Sequence, residues 1–270
     1  MVLFPNCKIN LGLHVTARRP DGFHELETVF YPVQWCDALE LIASEEPGVR
    51  LFSSGIPVQG DPANNLVARA YHLLSQDRVL PGAEFHLHKV IPMGAGLGGG
   101  SSDAAFALKL MNEVYGLGLK TDELKRHAAV LGSDCAFFID SAPAYATGRG
   151  EQLSPIDCSL KGLYILAVVP EIHVGTAEAY SWISPAKPEF DLRAIISEDP
   201  STWKNRLKND FEAAVCKHHP QIARIKESMY NAGAVYASMS GSGSAVFGIF
   251  KEVPDASHWR TLRHWSGQLS

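Results

Sequence analysis

Long apolar runs are missing from this sequence. Its most apolar stretch, LYILAVVP at 163–170, is far shorter than the ~20 residues that a membrane-spanning helix needs. The opening MVLFPNCKIN has no basic segment leading into an apolar core, so no secretory signal is read. An excess of one charge is missing too. The 24 Lys and Arg against 29 Asp and Glu leave a net charge of −5, which gives no general attraction for nucleic acid or an anionic membrane. Cysteines are few: Cys7, Cys36, Cys135, Cys158 and Cys216 are scattered, odd in number and form no C-x-x-C pair. That pattern fits a reducing compartment better than a disulfide framework. The run CKHHP at 216–220 lacks partner ligands at zinc spacing, so it reads as a solvated helix end before Pro220, and no metal site is read. Repeats and low-complexity segments are absent. These scarcities point to a cytoplasmic protein that binds neither membrane nor nucleic acid.

What remains is an ordinary globular composition, with 46% hydrophobic residues in a chain of 270, enough for one large domain or two modest ones. NCKINLGLHV alternates and reads as a strand, and Pro20, Asp21 and Gly22 mark the turn that follows it. LETVFYPVQ, DALELIAS and EFHLHKVI read as further strands. A helix starts near Asn65, because Leu66, Ala70 and Leu73 share a face. SSDAAFALKLMNEVYG has the start and stop signals of a helix, and TDELKRHAAVLG opens on a capping signature and ends at Gly132. Beyond Pro155, the candidate domain boundary, come the strand LYILAVVP, helices around 176–183 and 209–231, and the strand pair AVYASMS and AVFGIF flanking GSGS. Helices and strands mix without a regular βαβ alternation, so the expected class is α+β.

Between EFHLHKVI and the helix lies PMGAGLGGGSSDAA, residues 92–105, whose Gly94, Gly96 and Gly99 match G-x-G-x-x-G. A dinucleotide fingerprint needs a second strand carrying an acidic residue after the helix. Here one helix runs into another. No Gly-Lys-Ser/Thr closes the loop either, which excludes a Walker A motif. The physical content survives both exclusions. Gly94, Gly96, Gly98, Gly99 and Gly100 leave the backbone bare, and Ser101 and Ser102 add hydroxyls at a helix N-terminus. Such a segment gathers N–H donors on one anion. A ligand-free strand-to-helix turn is the plain alternative, yet so many glycines cost roughly 0.5–1 kcal/mol each relative to alanine. A phosphate-binding role is the better reading.

Three other groups stand out. Lys8 and Asn10 lie two apart on one strand and so share a face; taken alone, Lys8 reads as a solvated lysine on a sheet. Asp134 sits in the polar turn of GSDCAFF, where a cap or turn role is the commoner explanation. SMSGSGSAVF, near the C-terminus, reads as a hairpin loop.

In this order the lysine strand, PMGAGLGGGSSDAA, the aspartate turn and the C-terminal glycine motif resemble the GHMP kinases, ATP-dependent kinases of small metabolites. The resemblance is densest over 5–31, 61–70, 89–105 and 131–152, with PEIHVGTAEAY and SMSGSGSAVFGIF in the second half. It implies an α+β, two-domain fold: an N-terminal domain like ribosomal protein S5 over 1–155, which binds ATP, and a ferredoxin-like α/β sandwich over 156–270. Within the family, the D-G-F-H hairpin of PDGFHELETVF is similar to the branch whose acceptor is a cytidine-diphosphate-linked methylerythritol, phosphorylated on its C2 hydroxyl. Position by position, the resemblance implies that Pro92, Met93, Gly94, Ala95, Gly96, Leu97, Gly98, Gly99, Gly100, Ser101 and Ser102 form the ATP phosphate loop. Asn65 and Lys89 would lie beside the adenosine. Asp134 would take the proton of the acceptor hydroxyl, and Lys8 would polarise that hydroxyl. Asn10 would bind the methylerythritol end, Phe23 and Tyr180 would sandwich the cytosine, and His24 would bind its edge. Mg²⁺ would travel with ATP, no protein metal site is implied, and the chain would be a monomer or weak homodimer.

The turn GSDCAFF departs from the family's usual β-branched residue and proline at Cys135 and Ala136, and Phe23 stands where many relatives carry tyrosine. Segment 184–208 matches nothing specific. Two rivals stay in view: a GHMP kinase for another small alcohol, which leaves the aromatic-histidine hairpin unexplained, and a silent nucleotide-binding module, against which Lys8 and Asp134 together count.

Overall fold

The computed structural model describes residues 1–58 and 60–270. In chain order the elements begin with strands β1 (Val2–Leu3), β2 (Asn6–Arg18), β3 (His24–Cys36), β4 (Ala38–Ser44) and β5 (Val49–Gly55). Helix α1 (Leu66–Ser75) and strand β6 (Gly82–Lys89) lead to α2 (Gly99–Val114), α3 (Thr121–Leu131) and the single turn α4 (Phe137–Asp140). Strands β7 (Ala144–Thr147), β8 (Gln152–Pro155) and β9 (Tyr164–Val169) precede α5 (Thr176–Ser181), α6 (Leu192–Ile196), α7 (Asp210–His218) and α8 (Pro220–Asn231). Strands β10 (Tyr236–Met239), β11 (Val246–Phe250) and β12 (Arg263–Gln268) follow. No helix among the described residues is long and apolar enough to cross a membrane.

The chain groups into two compact units, each discontinuous in sequence. The first comprises Met1–Cys7, Trp35–Met93 and Gly98–Ala142. Its sheet has the order β1-β4-β6-β5, antiparallel except for the parallel pair β5–β6. Leu39, Leu41, Phe85 and Leu87 put the apolar half of their alternation into the core, where Val67, Ala70, Leu108 and Met111 are also buried. At the start of α3 the carboxylate of Glu123 accepts the N–H of Lys120 at 2.9 Å, the returning half of a capping box.

The second unit comprises Lys8–Gln34, Gly94–Leu97 and Pro143–Ser270. It holds the antiparallel sheet β10-β11-β9-β12 and the bulk of the sheet β2-β3-β7-β8. Its core gathers Leu166, Val168 and Val246 from strands with Phe211, Val215, Ile222, Ile225 and Met229 from α7 and α8. The helix expected over 209–231 is two helices. Pro220 takes the first position of α8, where its missing N–H is tolerated; inside a longer helix it would remove a hydrogen bond and clash with the preceding turn. The expected domain boundary at 155/156 falls inside the second unit, because β2 bonds to the later chain: Leu13 N–H donates to the Lys208 carbonyl at 2.9 Å and Ala186 N–H to the Val15 carbonyl at 3.0 Å.

Candidate active site

In the second unit, Lys8 is not a solvated lysine but is only 3% exposed. Its ammonium donates to Asn10 Oδ1 at 2.6 Å and to the Gly96 carbonyl at 3.2 Å, while its backbone N–H reaches the Leu97 carbonyl at 3.0 Å. Asn10 is held in turn: its amide donates to Thr28 Oγ1 at 3.0 Å, and that hydroxyl donates to the Gly12 carbonyl. The C-terminal glycine motif, a plain hairpin loop on sequence grounds, grips this same half of the loop. Ser240 Oγ donates to the Gly96 carbonyl at 2.9 Å, and Ala245 N–H donates to the Ala95 carbonyl at 3.0 Å. Gly96 has a φ of +80°, and a Cβ there would stand 2.0 Å from the Ser240 carbonyl oxygen. No side chain fits that approach.

In the first unit, Gly98 adopts φ +71° as the N-cap of α2, which therefore starts at Gly99, two residues before the expected Ser101. The helical ladder opens with Ser102 N–H donating to the Gly98 carbonyl at 2.9 Å. The N–H groups of Gly99, Gly100 and Ser101 stand ahead of it and point along the helix axis, where an anion is favoured. Ser102 Oγ is buried with no hydrogen-bond partner among the described residues. Asp134 is half-buried in the turn between α3 and α4. Its neighbour Cys135 is buried, and burial pushes that thiol up to about 12 although a hydrogen bond with Ser101 opposes the shift. This contact ties the aspartate turn to the first turn of α2, and the turn closes with Cys135 N–H donating to the Gly132 carbonyl at 3.1 Å. The departure at Cys135 and Ala136 is thus accommodated.

A cavity of about 270 Å³ opens in the first unit. Leu51, Leu66, Leu87, Asn65, Lys89 and Asp103 are among its lining residues. Asn65 caps α1, its Oδ1 accepting from Val67 N–H at 2.9 Å. Lys89 lines the cavity, but its ammonium is engaged within the unit: it donates to Asp37 Oδ2 and, at 2.8 Å, to Asp103 Oδ2. Burial opposes the lysine's charge, yet the two carboxylates outweigh it and raise its pKa. Asp103 is pushed up to about 7, by burial first and by Asp37 next, with Lys89 working against both. Sequence reasoning missed Asp37 and Asp103. For Asp103 a signal existed, an acidic residue among the apolar positions of an amphipathic helix; Asp37 has none.

On the second unit, His24 stacks on Tyr180 with ring centroids 4.4 Å apart and planes 14° apart. Phe211 meets Tyr180 edge-on at 4.9 Å. Phe23 is exposed, with the Arg149 guanidinium 4.8 Å from its ring centroid. His24, rather than an open slot, therefore faces Tyr180, and Arg149 joins the group unforeseen. His218, of the CKHHP run, stacks on Trp182 at 4.0 Å.

The model of the GHMP kinases N terminal domain matches residues 65–148, and that of the GHMP kinases C terminal matches 191–258. A protein of Parabacteroides distasonis named 4-diphosphocytidyl-2-C-methyl-D-erythritol kinase is 49% identical over 100% of both chains. A Bacteroides thetaiotaomicron protein of the same name is 53% identical over 93% of this chain and 92% of its own. Among solved structures, a 4-(cytidine 5'-diphospho)-2C-methyl-D-erythritol kinase superposes with a TM-score of 0.85 at 32% identity, covering 100% of this chain and 99% of that one. A mevalonate kinase superposes with a TM-score of 0.73 at 12% identity over 100% and 99%, a likeness of fold alone.

Proposed function

Because the chain belongs to the GHMP kinases, we infer that it transfers the γ-phosphoryl group of ATP to the C2 hydroxyl of 4-diphosphocytidyl-2-C-methyl-D-erythritol. That reaction belongs to the non-mevalonate synthesis of isoprenoid precursors. The observation that carries the reading is the near-full-length identity to kinases of that name. The grip of Lys8 and Ser240 on the Gly96 carbonyl supports it from geometry.

Phosphoryl transfer asks a protein mainly to position groups and to offset developing charge. Residues 92–102 would take the triphosphate, with the N–H groups at the start of α2 as donors that need no reorganisation. Lys8, desolvated and fixed by Asn10, is suited to offset charge on the acceptor oxygen. Asp134 would accept the hydroxyl proton. Asn65 and Lys89 border the cavity proposed for adenosine. The Lys89 side chain supports that wall through Asp37 and Asp103 rather than by offering a free charge.

Phe23, His24 and Tyr180 would hold cytosine, with the His24–Tyr180 stack opening to admit it; stacking contributes about 1–3 kcal/mol per base. Asn10 would meet the methylerythritol end. Ser102, with its unpartnered hydroxyl, would add a hard oxygen ligand to those of the phosphates. Mg²⁺ would there neutralise phosphate charge.

We place the protein in the cytoplasm, as a monomer or weak homodimer, with 1–155 as the ATP-binding and 156–270 as the C-terminal part of its sequence, a division that the two compact units cut across. ADP release with ATP, Mg²⁺ and each candidate alcohol in turn tests the assignment. The cytidyl alcohol supports turnover, whereas mevalonate, homoserine and galactose do not. Comparable turnover of homoserine without the cytidyl alcohol would overturn it.

A further inference from the structure

Asn209 opens α7 and is buried. Its Oδ1 accepts from Phe211 N–H at 3.0 Å, the ordinary bond of a helix cap. A cap needs only an acceptor, and aspartate fills that role at α6, where Asp191 accepts from Arg193 N–H at 2.9 Å. An asparagine amide carries two N–H donors as well. Both go to a single turn, to the carbonyls of Met239 and Gly241, each at 2.8 Å. These residues flank Ser240, whose hydroxyl donates to the Gly96 carbonyl at 2.9 Å and accepts from Asn10 N–H at 3.3 Å. The Lys8 ammonium donates to that same Gly96 carbonyl at 3.2 Å. Asn209, Ser240, Gly96, Asn10 and Lys8 all belong to the second unit.

We propose that Asn209 is a positioning residue for phosphoryl transfer: by clamping both sides of Ser240 it sets the Gly96 carbonyl, and through that carbonyl the Lys8 ammonium. The inference rests on the kinase reading and deepens it. The tolerance of this arrangement is small. A Cβ on Gly241 would lie 3.2 Å from Gly96 Cα, so the turn lies directly against the loop and a shift of one displaces the other. A misplacement of about 1 Å in such a support can cost on the order of 10²-fold in rate. Helix α7 is a firm base for the clamp because it is anchored twice more. Asp210 Oδ2 accepts from Val15 N–H at 2.8 Å, and Glu212 Oε2 accepts from Met239 N–H at 2.8 Å. The first of these bonds ties α7 to β2, the strand that carries Lys8. Asn209 thus sets the Ser240 turn against the strand on which Lys8 stands. With those anchors in place, α7 keeps its seat when the Asn209 amide is removed. A staple that serves stability alone is the competing explanation, and it lowers Tm without slowing the chemical step.

The test compares Asn209→Ser, Ser240→Ala and the double variant with wild type, using ATP, Mg²⁺ and the cytidyl alcohol well below each Tm. Serine still caps a helix but brings one donor where two carbonyls stand. For Asn209→Ser we expect kcat, read in single turnover, to fall about tenfold or more, with the KM for the cytidyl alcohol changed less than about twofold. Because both residues act through one bond to Gly96, the double variant should be no slower than the slower single variant. A folded Asn209→Ser with wild-type kcat overturns the inference, and so do two losses that multiply in the double variant. Should the serine variant not fold, Asn209→Asp takes its place with the same expectations, since it keeps the shape and the cap but turns an oxygen toward the two carbonyls. If that variant is lost too, Ser240→Ala decides: wild-type kcat there removes the link through which Asn209 acts, and a tenfold loss upholds it. Wild-type protein that does not phosphorylate the cytidyl alcohol overturns the kinase reading and the inference with it.

Discussion

Adding one methyl group at Gly96 should cripple the loop. At φ +80° an L-residue is strained, which costs about 1–2 kcal/mol. The new Cβ would also lie 2.0 Å from the Ser240 carbonyl oxygen and 2.9 Å from its carbon, backbone atoms that cannot rotate aside. Either the loop or the Ser240 turn must move by more than an ångström. That movement breaks or weakens three hydrogen bonds: Lys8 Nζ to Gly96 at 3.2 Å, Ser240 Oγ to Gly96 at 2.9 Å and Ala245 N–H to Ala95 at 3.0 Å. At about 0.5–1.5 kcal/mol each, these bring the total to about 4 kcal/mol with the backbone strain.

If that loss is global, a chain near this size loses about 2–4 °C of Tm per kcal/mol. Where the loop shifts instead, the same energy is nearly three orders of magnitude in rate. For Gly96→Ala we expect kcat/KM for ATP to fall at least about 100-fold and Tm to fall by several degrees. Gly100→Ala is the matched control, because nothing among the described residues lies within 4 Å of its Cβ position and its φ is not positive. It should melt at or slightly above the wild-type temperature, yet raise the KM for ATP, since Gly100 borders the cavity. Steady-state kinetics and thermal melts decide both. A Gly96→Ala protein with wild-type kcat/KM and Tm would refute the account of the clamp.

Asp134→Asn keeps size and most hydrogen bonding but cannot take a proton, so kcat should fall about 10²- to 10⁴-fold with ATP binding and Tm little changed. If a loose transition state makes the base unimportant, Lys8→Ala should prove the more damaging change. Phe23→Ala and Tyr180→Ala should each raise the KM for the cytidyl alcohol roughly tenfold or more while that for ATP holds; two unaffected variants would place the cytosine site elsewhere. Asp103 gives a pH signature whose sign is fixed. Its folded pKa is raised to about 7 from about 3.9 in the unfolded chain, so between those values the native state keeps a proton that the unfolded chain has released. Stability therefore falls as pH rises through that window. Melts at pH 5 and pH 8 should show Asp103→Asn gaining on wild type at the higher pH, and an equal difference at both would remove the effect.

Much of the scaffold was legible because it is periodic. The alternation in β2 and β6, the 3.6-residue spacing in α1 and the capping signature of α3 stand in the sequence, and the structure builds those elements there. Strand β5 was not foreseen: VRLFSSG is mostly exposed and becomes a strand only by pairing alongside β6. Strand β12, RHWSGQ, is polar and depends in the same way on β9. Local pattern cannot report a partner more than thirty residues away. The same limit applies to the site. The glycines of 94–100 declare an anion loop by composition, whereas the grip of Ser240 on Gly96 joins residues 144 apart in the chain. Lys8 taken alone pointed the wrong way, since a lysine on a strand usually faces water, and only packing shows it buried.

The most direct test of the account is the chemical identity of the product. Incubation with ATP, Mg²⁺ and 4-diphosphocytidyl-2-C-methyl-D-erythritol, followed by ³¹P NMR and mass spectrometry, should show one ADP formed for each molecule of acceptor consumed. The product should carry a new phosphomonoester on C2 and retain its diphosphate bridge. A phosphate on another hydroxyl, a cleaved diphosphate, or ADP formed without any change in the cytidyl alcohol would contradict it.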